Sequence, residues 1–299
     1  MINYKAKTST GEIINSALSA FTFPAGEAHT KREERRDLEP VEIAIIQPSP
    51  DSIHDDLFQL AMWNSYIKIE NADRPPEGPS KRVLVIPYFP GARADRGKPF
   101  GLGVYADFIR NLYLNKIIIF DPHSGMTGDE LHAGSDNLDI VYSNELLKQS
   151  HVRAMLGKYD AVIAPDKGAG LRTYRVSTAL ETGFYQAEKT RDFETGKLSG
   201  FKLDGLPKDG KYLIVDDICD GGGTFLGLAD AIGLPPQQLD LYVSHGVFSK
   251  DALNTLANRF GQVYTSNSYN PLRNLIPSND RLPDVFRRLD VINLLLERI

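Results

Sequence analysis

The sequence predicts an α/β fold with mainly parallel sheets flanked by helices. Three observations carry that reading. Short apolar runs of strand length recur at residues 41–46, 82–86, 116–120, 161–164, 213–215 and 239–244. Longer stretches with helical spacing lie between them, so the order is strand, helix, strand. Charged residues and glycines gather directly after the strands, where open α/β sheets place their ligands.

Taken in order, residues 2–12 predict a small hairpin that turns at Ser9, Thr10 and Gly11. Residues 20–27 predict a strand ending in a Pro/Gly turn, and residues 31–39, dense in both signs of charge, a solvated edge. After the strand at 41–46, residues 51–69 have helical spacing, with Ile53, Leu57, Leu60, Ala61 and Asn64 on one side. Residues 71–80 predict a surface connection, 103–114 an amphipathic helix and 144–156 another helix. The second half continues with a helix at 171–180, a strand at 184–188 and a polar, Gly-containing stretch to residue 200. A helix at 250–258, a strand at 262–265 and a closing strand and short helix over 285–299 complete the chain.

A chain of 299 residues accommodates one large domain or two ordinary ones. The repeated plan favours two, residues 1–142 and 143–299. The 41% hydrophobic content supports a sizeable core, and the net charge of -5 argues against nucleic acid as the main partner. Cys219 stands alone, so no internal disulfide forms, which suits a reducing compartment. No segment has the length and apolarity of a membrane span or the apolar core of a signal peptide. A cytoplasmic protein without membrane partners is expected.

The most informative stretch reads Tyr-Leu-Ile-Val-Asp-Asp-Ile-Cys-Asp-Gly-Gly-Gly-Thr over residues 212–224. A buried strand runs into the acidic pair Asp216 and Asp217. Then Gly221, Gly222 and Gly223 lead through Thr224 into a helix at 225–232. Glycines give the backbone access to positive φ, and exposed N–H groups at a helix start cradle an anion such as phosphate. The acidic pair can accept hydrogen bonds from sugar hydroxyls or help hold a metal. The bland counterpart is an ordinary corner with solvated aspartates.

Further charge-bearing residues follow the other strands: Arg93, Asp95 and Arg96; Asp121 and His123; Asp166 and Lys167; Lys189 and Arg191. Cations, carboxylates and phosphate cradles together are what phosphoryl transfer needs. Singly, each has a plainer reading. His123 could hold a turn, Asp166 could cap the helix that follows it, and the arginines and Lys189 could be solvated charges. Cys219 has no suggested histidine partner and is expected to pack passively.

In their order along the chain these segments resemble the ribose-phosphate pyrophosphokinases, from about Phe23 to Ser266. Phe23-Pro24-Ala25-Gly26-Glu27 resembles that family's nucleotide-binding segment, and Pro87-Tyr88-Phe89 through Arg93-Ala94-Asp95-Arg96 its ATP-holding segment. Asp121-Pro122-His123 and Pro165-Asp166 resemble its metal-binding segments, and Lys189 and Arg191 its mobile catalytic loop. Asp216 to Thr224 resembles its ribose-phosphate loop, and Ser244-His245-Gly246-Val247-Phe248 a late Thr-His-Gly segment.

The resemblance implies two phosphoribosyltransferase-like domains and Mg2+-dependent transfer of the β,γ-diphosphate of ATP to the anomeric hydroxyl of ribose 5-phosphate. It implies ATP contacts from Phe23, Glu27, Arg93, Asp95 and Arg96, and metal contacts from His123 and Asp166. Catalysis would fall to Lys189 and Arg191. Asp216 and Asp217 would hold the sugar, and Asp220, Gly221, Gly222, Gly223 and Thr224 its phosphate. A homo-oligomer is also implied.

Three positions depart from the family pattern. Ala25 and Ala94 stand where it has aspartate and glutamine, and Gly221 where it has threonine. The last opens the loop and brings in an alternative acceptor, ADP-ribose, as in relatives that act in NAD salvage. Two rivals remain at this level: a phosphoribosyltransferase that consumes the activated sugar, and a non-catalytic relative that regulates a synthetase.

Overall fold

The computed structural model describes residues 2–33, 37–74, 78–132, 136–191, 198–269 and 283–299, and the side chains of residues 190, 191, 198 and 199 lie outside that description. The chain forms two compact units. The first comprises residues 1–141 with 292–299, and the second residues 142–291. No described helix is long and apolar enough to cross a membrane.

The first unit holds a six-stranded sheet of β1 (Ile2–Lys7), β2 (Ile13–Asn15), β5 (Val41–Ile46), β6 (Lys81–Ile86), β7 (Lys116–Phe120) and β8 (Leu138–Val141). The strand order is 2-1-5-6-7-8, with β5 to β8 parallel and β1 antiparallel to both neighbours. The apolar runs are continuous because the parallel strands are covered on both faces. Helix α1 (Ile53–Ala72) buries Leu57, Leu60, Trp63 and Ile67 in one core with Leu84, Ile86, Ile117 and Ile119. Each such side chain contributes about 1.5–3 kcal/mol on leaving water. The start of α1 is tied down by Asp56, whose carboxylate accepts from Ile2 N at 2.7 Å and Ser52 Oγ at 2.8 Å. Helix α2 (Gly101–Arg110) buries Leu102, Ala106 and Ile109 in the same core.

A separate antiparallel hairpin, β3 (Leu18–Thr22) and β4 (Ala28–Arg32), carries the 23–27 segment as its turn. The charged stretch expected to be a solvated edge therefore begins as the strand β4, and its residues 34–36 lie outside the described residues. Two further elements appear where the sequence showed no periodicity: α3 (Gly125–His132) and β8. Glycine and threonine within α3 dilute its apolar signal.

The second unit is built on a wholly parallel sheet ordered 10-9-13-14-15-16. Its strands are β9 (Ala161–Ala164), β10 (Gly183–Gln186), β13 (Tyr212–Cys219), β14 (Leu239–Gly246), β15 (Val263–Ser266) and β16 (Phe286–Leu289). The helical stretch at 144–156 divides into α4 (Ser143–Leu147) and α5 (Ser150–Leu156). Helix α6 (Gly170–Leu180) docks on β13 through Thr173, whose Oγ1 donates to Val215 O at 3.2 Å. Helix α7 (Gly223–Ile232) packs Phe225, Leu228 and Ile232 in one core with Ile214, Leu241 and Val243. Helix α8 (Ala252–Ala257) adds Leu256.

Two readings change. Lys189 and Arg191 are not in a loop: they lie on β11 (Glu188–Arg191), which pairs antiparallel with β12 (Leu198–Lys202) in a two-stranded ribbon. Polar residues at successive positions hid that strand, and residues 192–197 lie outside the described residues. The closing helix α9 (Ile292–Leu296) belongs to the first unit, whereas the sequence carried the second domain to residue 299. Lys7 Nζ donates to Ile299 O and Lys116 Nζ to Arg298 O, each at 2.6 Å.

Candidate active site

In the second unit the parallel strands β9, β13 and β14 bring the residues after Ala164, Cys219 and Gly246 to one edge of the sheet. Asp166 follows β9. Its Oδ1 accepts from Ala169 N at 3.1 Å and its Oδ2 from Lys189 Nζ at 2.5 Å. Asp166 does not cap α6 as expected: the N-cap is Ala169, with no side-chain cap bond, and Asp166 accepts from the N–H of Ala169 itself while pairing with Lys189. Burial would push the Asp166 carboxyl up, but the hydrogen bond and charge of Lys189, with the Ala169 and Gly168 N–H groups, hold it below its ordinary value. The side chain of Arg191 is outside the described residues.

The acidic pair lies within β13, because the strand continues past Val215 to Cys219. Asp217 N donates to Asp216 Oδ1 at 2.9 Å. Arg172, near the start of α6, stands over both: its Nη1 is 3.7 Å from Asp216 Oδ1 and 3.6 Å from Asp217 Oδ1. Burial, then the charge of Asp217, holds the Asp216 carboxyl well above the ordinary range, with Arg172 opposing. Sequence reasoning missed Arg172. Its only signal was an arginine six residues after Asp166, which means little until α6 is placed on β13.

Of the three loop glycines only Gly222 has positive φ, at 79°. It caps α7, and its O accepts from Phe225 N and Leu226 N at 3.0 Å. The first N–H groups of α7, from Gly223 and Thr224, have no partner within the helix by geometry and head the loop. A Cβ on Gly221 would meet only Ser249 Oγ, at 3.9 Å, and one on Gly223 nothing within 4 Å. The loop is stapled to the segment after β14: Cys219 O accepts from Val247 N at 2.9 Å and Phe248 N at 3.0 Å, and Asp220 Oδ1 from Ser249 Oγ at 2.5 Å. Cys219 is fully buried and burial pushes its thiol up, so it packs as expected.

His245 lies buried at the end of β14, its Nδ1 2.7 Å from Ser268 Oγ. Ser268 Oγ donates to Ser244 O at 3.0 Å, so the ring donates to the hydroxyl through Nδ1–H. This is a brace at the end of the strand rather than an exposed histidine.

In the first unit, Phe120 N donates to Pro87 O at 3.3 Å, which sets the loop of residues 87–98 beside the end of β7. Arg93 and Arg96 are exposed, while the Asp95 side chain is 8% exposed with Arg96 Nε 3.9 Å from its Oδ1. After β7, Asp121 is buried with φ of 40° and donates its N–H to Val141 O at 2.8 Å, turning the chain so that His123 is exposed. Phe23 and Glu27 lie on the β3–β4 hairpin turn. That hairpin is held on α1 by Gln59 Nε2, which donates to Phe21 O at 2.9 Å. The Phe23 ring packs edge-on against Phe21 and His29, at 4.8 and 5.4 Å. An open cavity of about 720 Å³ in this unit, lined by Lys5, Lys7, Ile45 and Leu296 among others, contains none of the expected site residues.

No family model matches the sequence. The chain is 26% identical to a ribose-phosphate pyrophosphokinase of Granulibacter bethesdensis, over 85% of this chain and 82% of that one. It is 25% identical to one of Maricaulis maris, over 93% and 86%, and 26% identical to one of Pyrococcus abyssi, over 86% and 85%. Among solved structures, the phosphoribosylpyrophosphate synthetase of Mycobacterium smegmatis superposes with a TM-score of 0.72, covering 95% of this chain and 89% of that one at 20% identity. That likeness gives the fold: two phosphoribosyltransferase-like domains with mainly parallel sheets. The relatives and the fold agree over nearly the whole length, and along that length the chain is similar to the ribose-phosphate pyrophosphokinases.

Proposed function

We propose that the protein is a diphosphotransferase that moves the β,γ-diphosphate of ATP to the anomeric hydroxyl of ribose 5-phosphate, releasing AMP. The observation that carries this reading is the edge of the second unit's sheet. There Asp166 after β9 pairs with Lys189, the acidic pair lies in the second half of β13 before its end at Cys219, and the amide-headed α7 starts shortly after that end. Asp216 and Asp217 would accept from the sugar hydroxyls, and Asp220 to Thr224 would hold the 5-phosphate on backbone N–H groups. Lys189 and Arg191 would meet the transferring phosphates and stabilise charge that grows in the transition state. Arg93, Asp95 and Arg96, with Phe23 and Glu27, would place ATP.

Mg2+ fits the donor chemistry. It takes one or two protein carboxylates and completes its shell with phosphates and water, and the Asp166 carboxylate at the sheet edge is of that kind. In the second unit Asp166 would hold it, by releasing Lys189 from Oδ2, and in the first unit His123 would be a metal ligand. Bound there, Mg2+ would neutralise phosphate charge.

A second acceptor, ADP-ribose, is favoured by one observation. Gly221 has no positive φ and space around it, so the backbone does not demand glycine there, and its absent side chain leaves room beyond the phosphate position. Purified protein given ATP, Mg2+ and either ribose 5-phosphate or ADP-ribose, with AMP release followed, decides between them. Release with neither sugar, or product formation without ATP, rejects the reading.

A further inference from the structure

Two carboxylates on neighbouring residues of one strand repel each other, and burial strengthens the repulsion. Asp217 is 4% exposed and the Asp216 side chain 17%, so water does little to separate them. Left alone they would splay apart or take up a proton. Arg172 opposes the parting: its Nη1 stands nearly equidistant from the two Oδ1 atoms, at 3.7 and 3.6 Å, with its own side chain only 11% exposed. Its backbone is fixed from both sides. One residue later, Thr173 Oγ1 donates to Val215 O at 3.2 Å, beside the acidic pair. Three residues earlier, Ala169 N donates to Asp166 Oδ1 at 3.1 Å. The guanidinium therefore reaches the pair from a helix start locked to the strand that carries it. Both distances run from the one nitrogen Nη1 and exceed hydrogen-bond length, so the permanently charged guanidinium acts on the two carboxylates through its charge.

We infer that Arg172 is a positioning residue of the acceptor site, holding Asp216 and Asp217 in one orientation so that their remaining oxygens meet the hydroxyls of a sugar phosphate. The inference rests on the proposed reaction for its substrate and on the geometry alone for its role. Arg172 acts on acceptor binding and leaves the donor untouched. It also couples the two halves of this edge, because the residue before its helix, Ala169, donates its N–H to the aspartate that pairs with Lys189.

The test compares Arg172→Ala, Arg172→Lys and Thr173→Val with the wild type in AMP-release kinetics, varying each substrate in turn, with thermal midpoints measured alongside. Arg172→Ala is expected to raise the acceptor KM about tenfold to a hundredfold with the ATP KM within about twofold, and Arg172→Lys to restore part of the loss. Thr173→Val, which loosens the helix start but keeps the guanidinium, is expected to lower the thermal midpoint and to raise the acceptor KM by clearly less than Arg172→Ala. An acceptor KM within about twofold of wild type in Arg172→Ala, or equal shifts for both substrates, overturns the inference. If wild-type protein turns over neither sugar, the proposed reaction falls, and crystal structures of wild type and Arg172→Ala judge the positioning role separately. Carboxylates that keep their places without the guanidinium overturn it, and carboxylates that part support it.

Discussion

Lys189 Nζ donates to Asp166 Oδ2 at 2.5 Å, joining a two-stranded ribbon to the loop after β9. Both side chains are a little under one third exposed, so solvent screens the pair only in part. The amine is held at the sheet edge by its partner, and in the proposed reaction it would reach the transferring phosphate by leaving it. Lys189→Ala is expected to lower kcat by about two to three orders of magnitude while the KM for ATP moves less than about fivefold. The Asp166 carboxyl should then rise toward its ordinary value, a shift readable by carbon NMR of the labelled residue. Turnover within about twofold of wild type would remove Lys189 from the mechanism.

Asp216 gives a pH dependence of the opposite sense from a salt-bridged carboxylate. Its folded-state pKa lies above the unfolded value, because burial and the charge of Asp217 disfavour ionisation. The unfolded chain therefore loses this proton first as pH rises. The destabilisation begins near the unfolded pKa of about 4 and is complete only above the raised folded pKa. Asp216→Asn removes the charge without changing the shape. It is expected to raise the thermal midpoint at pH 8, to do less near pH 4, and to abolish acceptor turnover. A midpoint that falls equally at both pH values would show that the charge costs the fold nothing.

At the start of β14 lies a charge with no part in the chemistry. Asp240 is fully buried and accepts from Tyr159 Oη at 2.6 Å and Gln262 N at 2.8 Å, with Lys211 Nζ at 3.0 Å. Deleting the carboxylate leaves three donors without their acceptor. Asp240→Ala is expected to cost about 3 kcal/mol of stability in denaturant titration. Because Asp240 opens its strand and the site lies at the strand ends, kcat at a permissive temperature should stay within about twofold. A loss of kcat in folded protein would break that separation.

Much of the architecture was legible because parallel strands buried on both faces must be apolar throughout, as Tyr212 to Val215 and Ile43 to Ile46 are. The acidic pair and glycine loop were legible because their spacing is local. Arg172 was not, since its meaning depends on α6 lying against β13. The ribbon strand carrying Lys189 escaped because Glu188, Lys189, Thr190 and Arg191 show no apolar alternation. The return of α9 to the first unit escaped for the same reason as Arg172: it is made by contacts nearly three hundred residues apart, such as Lys7 with Ile299. The single helix expected over 144–156 failed at Lys148 and Gln149, which separate α4 from α5 without a proline or glycine to mark the break.

The loop glycines offer the sharpest contrast between neighbours. Gly222 holds φ of 79°, where any side chain pays for a left-handed backbone, so Gly222→Ala is expected to cost about 1 kcal/mol and distort the amides that head α7. Its Cβ would meet Leu256 at 3.4 Å, ordinary contact, so the cost is conformational rather than steric. Gly221 has neither constraint, and Gly221→Thr should fold with an unchanged thermal midpoint. The two acceptors then part company. If ribose 5-phosphate is the substrate, a threonine hydroxyl beside Ser249 adds a donor near the phosphate, and the acceptor KM stays level or falls. If ADP-ribose is the substrate, the same side chain fills the space its second phosphate needs, and the KM rises about tenfold or more while that for ATP is unchanged. Equal kinetics for Gly221→Thr and wild type with ADP-ribose would show that residue 221 does not line the acceptor's path.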